Sequence, residues 1–155
     1  MKQGAGILFT DGDKILLLRR APDDQDGDTW GLPGGGSHDE EKPHDTAVRE
    51  TKEECGISKI PGTQFDIFDQ KYPTFHWTTF LYAVTAQFKP KQLSQEHTDW
   101  QWFDLKSIKE VNLHPKLRPQ IESYVKSIRK KFGEKFEEWA RYSSILKDLS
   151  YNSDD

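Results

Sequence analysis

Residues 35–57, GGSHDEEKPHDTAVRETKEECGI, hold the side chains in this sequence best suited to chemistry. Gly35 is followed at fixed offsets by Glu41, Arg49, Glu50, Glu53, Glu54 and Gly56. A helix turns about 100° per residue, so Glu50, Glu53 and Glu54 share one face, as residues i, i+3 and i+4. Val48, Thr51 and Cys55 point away from them, toward a core. Carboxylates this close repel one another unless they are well solvated or a cation lies between them. Oxygen ligands suit a hard ion, Mg²⁺ or alternatively Mn²⁺. Mg²⁺ takes few carboxylates, keeps several waters and uses substrate phosphates for the rest, so the same residues imply a phosphate substrate. A Glu- and Lys-rich helix face is more often simply solvated. Against that stands the frame: Gly34-Gly35-Gly36 before the helix, Glu41 and Arg49 at their offsets, and Gly56 as a C-terminal stop.

The elements that must position these groups can be read around them. Residues 4–10 and 14–20 flank Asp11-Gly12-Asp13 and predict a hairpin. Residues 21–29, APDDQDGDT, form a polar loop. A helix is expected from near Pro43, a residue favoured in the first turn, to Gly56. Residues 64–70 and 75–88 predict strands, the second β-branched and aromatic, and residues 99–104 a shorter one. Leu105 to Glu110 suggests a short helix. Residues 116–131 read as a helix with Ile121, Tyr124, Val125 and Ile128 on one side, ended by Gly133. A second helical stretch covers 134–149, and residues 152–155 should fray.

The spacing of the 35–57 segment resembles the signature box of the Nudix hydrolases, and Trp30-Gly31-Leu32-Pro33 running into the glycines resembles that family's usual lead-in. Seven fixed identities, each at about 6–7% by composition, give a chance match on the order of 10⁻⁸ per window. Thr51 departs from the pattern, standing where the family usually has a larger aliphatic residue. The resemblance implies an α/β fold, a mixed β-sheet sandwiched between α-helices, with a Nudix domain over 1–115 and a C-terminal helical extension over 116–155 packed on it. It implies cleavage of the pyrophosphate linkage in a nucleoside diphosphate joined to another moiety. Glu50 and Glu54 correspond to the main metal ligands, with Glu53 a further or water-mediated one and the Gly34 carbonyl beside them. Arg49 corresponds to an orienting partner, and Glu41 to a brace between loop and helix or to a plain loop carboxylate.

Family members differ in the glutamate that serves as base. Glu96, in a polar loop before an aromatic strand, is favoured as base or additional metal ligand, Glu53 is second, and an exposed solvated Glu96 is the plain alternative. Arg19 and Arg20 could meet phosphates or cap a strand end. Gly35 belongs to the turn facing the substrate. Trp30, Phe75, His76 or Trp77 could stack on a base, although aromatics more often fill cores. His76, His97 and His114 show no zinc spacing, so no histidine-metal site is expected. Tyr72 and Pro73 satisfy neither the ADP-ribose nor the dinucleoside polyphosphate subgroup pattern, and nucleoside triphosphates stay open beside both.

Composition fits one domain of 155 residues rich in large aromatics. The net charge of −4 counts against nonspecific nucleic-acid binding. A noncatalytic nucleotide- or RNA-binding sensor and an RNA 5′ pyrophosphohydrolase are the alternatives. The latter needs a basic groove, for which Lys126, Arg129, Lys130 and Lys131 are candidates. The sole cysteine, Cys55, excludes an internal disulfide and fits a buried thiol in a reducing, cytoplasmic setting. No membrane-length apolar run occurs. The aromatic face of the C-terminal segment could pack on the core, cover the cleft or meet the partner of a homodimer.

Overall fold

The computed structural model describes residues 2–91, 93–133 and 141. Its architecture follows from two runs whose apolar residues occupy both alternating positions. In β1 (Lys2–Thr10) and β2 (Lys14–Arg20), Ile7, Phe9, Leu16 and Leu18 face one side, while Leu8, Ile15 and Leu17 face the other. Strands buried on both faces must lie inside a layered sandwich.

The remaining elements are β3 (Trp30–Gly31), β4 (Gly34–Gly36), α1 (Pro43–Cys55), β5 (Thr63–Tyr72), β6 (Phe75–Ala83) and β7 (His97–Asp104). The sheet is mixed: β1 runs parallel to β6, and every other pairing is antiparallel. The expected hairpin holds only at its tip, where Thr10 pairs with Ile15. Beyond it the strands splay, β1 toward β6 and β4, β2 toward β7 and β3. The run expected to stay extended to residue 88 ends as β6 at Ala83. Its partner β1 stops at Thr10, whose carbonyl accepts from Val84 N–H, and no ladder continues past that bond.

Helices cover both faces. Ala47 and Cys55 of α1 pack with Ile7, Phe9, Phe80 and Tyr82. On the opposite face, helix α2 (residues 121–133) brings Ile121, Tyr124 and Ile128 onto Leu8, Leu17 and Leu81. Gly133, expected to break this helix, is itself helical; one glycine costs only about 1 kcal/mol relative to alanine and does not end a helix on its own. The stretch expected to be helical over 134–149 lies outside the described residues apart from Arg141, as does the fraying of 152–155. Burial pushes the Cys55 thiol up to about 12, so it is a neutral core group. Among the described residues no helix is long and apolar enough to cross a membrane.

Candidate active site

Two local signals fix the ends of α1. Pro43 opens it, with φ preset for a first turn. Gly56 closes it in the left-handed region, at φ 63°, with its N–H donating to the Lys52 carbonyl. The helix lies beside β4, and the two glutamates nearest that strand meet its glycines. Glu50 sits directly over Gly35, where an added Cβ would stand 2.6 Å from the Glu50 carboxyl carbon. Only a residue without a side chain lets that carboxylate come so close to the turn. One residue back, the Gly34 N–H donates to Glu54 Oε2 at 3.1 Å.

Arg49 ties the loop, strand and helix together. Its Nε and Nη2 donate to the two Glu41 oxygens at 2.9 and 3.0 Å, a bidentate pair. Nη2 also reaches the Gly36 carbonyl at 3.0 Å, and Nη1 donates to Glu50 Oε1 at 2.9 Å. Glu41 further accepts from the His38 N–H at 3.1 Å and the Thr46 hydroxyl at 2.8 Å. The Arg49 guanidinium, with these donors behind it, holds Glu41 down at about 2. Reciprocally, the hydrogen bonds to Glu41 and Glu50 raise Arg49 above its usual value.

The three helix glutamates meet different surroundings. Glu53 is 58% exposed and reaches Arg49 only at 3.4 Å. Glu50 is half-buried between Arg49 and Gly35. Glu54 is 3% exposed. Burial raises Glu54 well above the usual carboxylate range, and the nearby Glu50 and Glu96 charges push the same way, against the Gly34 hydrogen bond and the Arg20 charge. A carboxylate so enclosed, facing two others, calls for a cation. The donor set fits one: ligand atoms of Glu54, Glu96 and His97 all lie within 4.8 Å of one another, and the charge of Glu50 also acts on Glu54.

Glu96 reaches this place through the backbone. Its carbonyl accepts from Ala21 N–H at 2.8 Å, pinning the loop to the end of β2. A register shift between Arg19 and Arg20 in the β2–β7 pairing sets His97 opposite Arg20. His97 is the site residue that the sequence passed over, because spacing offered no histidine site. Burial, with Arg20 adding to it, lowers His97 to about 4, leaving its ring neutral. The signal in the sequence was its place directly after Glu96 at the start of an aromatic strand.

Of the residues read as substrate contacts, Arg19 pairs with Asp28 at 3.1 Å. Arg20 binds Asp24 at 3.0 Å and the Gln25 carbonyl at 3.1 Å, and its charge acts on Glu54, His97 and His114 alike. It thus stands between the carboxylates and a neighbouring cleft of about 280 Å³ that begins at Gly34 and Gly35. Tyr72, Phe75 and Trp77 wall this cleft, with ring centroids 6.5 and 6.1 Å apart along the row. Trp30 packs edge-on against Phe103 at 4.8 Å and does not line the cleft. His76 instead pairs with Asp69 at 3.2 Å.

A model of the NUDIX domain matches residues 1–125, and the chain belongs to the Nudix family. It is 26% identical over 116 residues to the 8-oxo-dGTP diphosphatase of Escherichia coli, covering 75% of this chain and 89% of that protein. It is 37% identical over 76 residues to human diphosphoinositol polyphosphate phosphohydrolase 3-alpha, covering 48% and 43%. A Mycobacterium tuberculosis protein that carries an 8-oxo-dGTP diphosphatase name is 32% identical over 106 residues, or 65% of this chain. The chain spans about half the length, or less, of these last two relatives, 49% and 43%. Among solved structures, a Nudix hydrolase from M. smegmatis, RenU, superposes with TM-score 0.68 at 22% identity, over 79% of this chain and 82% of that one. A C. elegans Ap4A hydrolase binary complex gives 0.63 at 22% identity, over 80% and 95%. At such identity these likenesses establish the α/β Nudix fold.

Proposed function

We propose that the chain is a metal-dependent hydrolase of the pyrophosphate linkage in a nucleoside diphosphate derivative, working with Mg²⁺ or Mn²⁺. The observation that carries this reading is Glu54: a carboxylate 3% exposed, grouped with Glu96 and His97, under the charge of Glu50, and lacking a cationic hydrogen-bond partner among the described residues. A pure binding module has no chemical need for such a group, which weighs against a noncatalytic sensor. Glu50 and Glu54 are the proposed metal ligands, the Gly34 carbonyl adds an oxygen, and Glu53, at the exposed rim, acts through water. A bound divalent ion supplies charge neutralisation for the diphosphate and acidifies a water.

The chain's own residues do the rest. Arg49 holds Glu50 in place and, through Glu41 and Gly36, locks the loop against the helix. Glu96 accepts the proton of the attacking water or completes the ligand set, with its loop fixed by the bond to Ala21. Arg20 stabilises the phosphate nearer the cleft, since guanidinium matches phosphate geometry. The test is a panel of ADP-ribose, dinucleoside polyphosphates, nucleoside triphosphates and 5′-triphosphate RNA with Mg²⁺ and Mn²⁺. At least one small nucleotide should turn over, and Glu54→Gln should lower that rate by about 10³-fold, corresponding to about 4 kcal/mol. Unchanged turnover by the variant would reject the assignment of Glu54.

A further inference from the structure

We infer that the His97 imidazole is a ligand of the divalent ion that Glu54 and Glu96 share, and that this nitrogen gives the site a preference for Mn²⁺ over Mg²⁺. This deepens the proposed metal-dependent hydrolysis and rests on it. One ligand atom from each of Glu54, Glu96 and His97 lies within 4.8 Å of the other two. Donors about 2.1 Å from a common ion stand at most about 4.2 Å apart. Closing the three around an ion therefore takes about 0.6 Å of movement at most. Among the described residues, no hydrogen bond joins the ring to either carboxylate. The three groups converge without satisfying one another, as ligands around a shared ion do.

The remaining contacts leave each side chain a donor atom to give. Glu54 takes the Gly34 N–H on Oε2, so Oε1 stays open. Glu96 is held by its backbone carbonyl, which accepts from Ala21 N–H, and its carboxylate has no hydrogen-bond partner among the described residues. His97 is fixed twice within one turn: its backbone N–H donates to the Ser94 carbonyl at 3.2 Å, and its Nδ1 meets the Ser94 hydroxyl at 3.3 Å. With Nδ1 so engaged, Nε2 is the nitrogen left for an ion. A metal-binding histidine commonly has its other ring nitrogen held in this way. Arg20, the cation that could otherwise neutralise the group, donates instead to Asp24 at 3.0 Å and to the Gln25 carbonyl at 3.1 Å. A nitrogen ligand bears on the choice of ion, because imidazole suits first-row transition ions while Mg²⁺ keeps to oxygen.

The experiment is electron spin-echo envelope modulation of bound Mn²⁺, with Mg²⁺ competition, on the wild type, on His97→Gln and on wild type grown with ¹⁵N-labelled histidine. Unlabelled wild type should show modulation from a directly bound ¹⁴N, labelling should convert it to the ¹⁵N pattern, and His97→Gln should abolish it. The variant should bind Mn²⁺ at least about tenfold more weakly, since even an outer-shell partner of a ligand is worth that much, while its Mg²⁺ affinity changes little. Circular dichroism checks the variant's fold, and the labelled wild type carries the test if that fold is lost. Bound Mn²⁺ without nitrogen modulation, modulation that survives His97→Gln, or an equal loss of Mn²⁺ and Mg²⁺ affinity would overturn the inference while leaving the hydrolase reading intact. Modulation from His97 in a protein that cleaves no nucleotide would support it and count against the hydrolase reading alone.

Discussion

Thr51 is fully buried in the middle of α1, and among the described residues its hydroxyl has no hydrogen-bond partner. Replacing it by valine exchanges that hydroxyl for a methyl of nearly the same shape. An unsatisfied buried hydroxyl costs about 1–3 kcal/mol. The added methyl contributes about 0.8 kcal/mol of apolar burial, and valine and threonine differ little in helix propensity. A residue that packs on all sides recovers only part of such a sum, so we expect Thr51→Val to stabilise by about 1–2 kcal/mol. For a chain of this size that raises the melting temperature by roughly 2–8 °C. Differential scanning calorimetry of the wild type, Thr51→Val and Thr51→Ser measures it; the serine variant keeps the hydroxyl, loses a methyl and should melt lower than wild type. Turnover should be the same in Thr51→Val, because the side chain points away from the carboxylates. A valine variant that melts at or below the wild-type temperature would refute the reasoning, since the hydroxyl must then be bonded, for instance to the Ala47 carbonyl one turn back.

Gly35→Ala should place a methyl 2.6 Å from the Glu50 carboxyl carbon and displace that side chain; kcat should fall at least about tenfold while circular dichroism shows the fold unchanged, and full activity would mean Glu50 can move without consequence. Glu41 has a folded value of about 2, below its usual 4.5. Its pairing therefore stabilises the fold above about pH 4.5, and that contribution is lost as pH falls through about 2. Glu41→Gln should accordingly be less stable than wild type at pH 6, with the difference shrinking in acid, as followed by urea unfolding at several pH values. A constant difference across that range would contradict the ion pair's role. Cys55, buried in the core, should resist a thiol reagent until urea unfolds the chain, and fast labelling of the native protein would show that α1 opens locally.

Local chemistry made α1 legible from the sequence. Pro43 and Gly56 mark its ends through φ restriction and left-handed tolerance, and both lie where the sequence puts them. The pairing of Arg49 with Glu41 and Glu50 was implied only by the family resemblance, because Glu41 lies in the loop before α1, where helical spacing does not reach. Spacing could not say that Glu53 and Glu54, adjacent in sequence, would differ from 58% exposed to 3%. Where the buried stripe stops is set by how the sheet sits against the helix, a tertiary fact. The splay of β1 from β2 was hidden for the same reason: the turn signal is local, but each strand is drawn to partners far along the chain. His97 escaped because Glu54 comes from the distant helix α1, although Glu96 stands directly before it, and Trp30 because its partner Phe103 lies over seventy residues away.

The most direct measurement is a Mn²⁺ titration followed by electron paramagnetic resonance, on the wild type and on Glu54→Gln, each with and without nucleotide. Wild-type protein should remove free Mn²⁺ signal as it is titrated, more tightly when nucleotide is present, and the variant should leave that signal largely unchanged. Equal Mn²⁺ uptake by the two proteins would place the ion elsewhere and contradict the account.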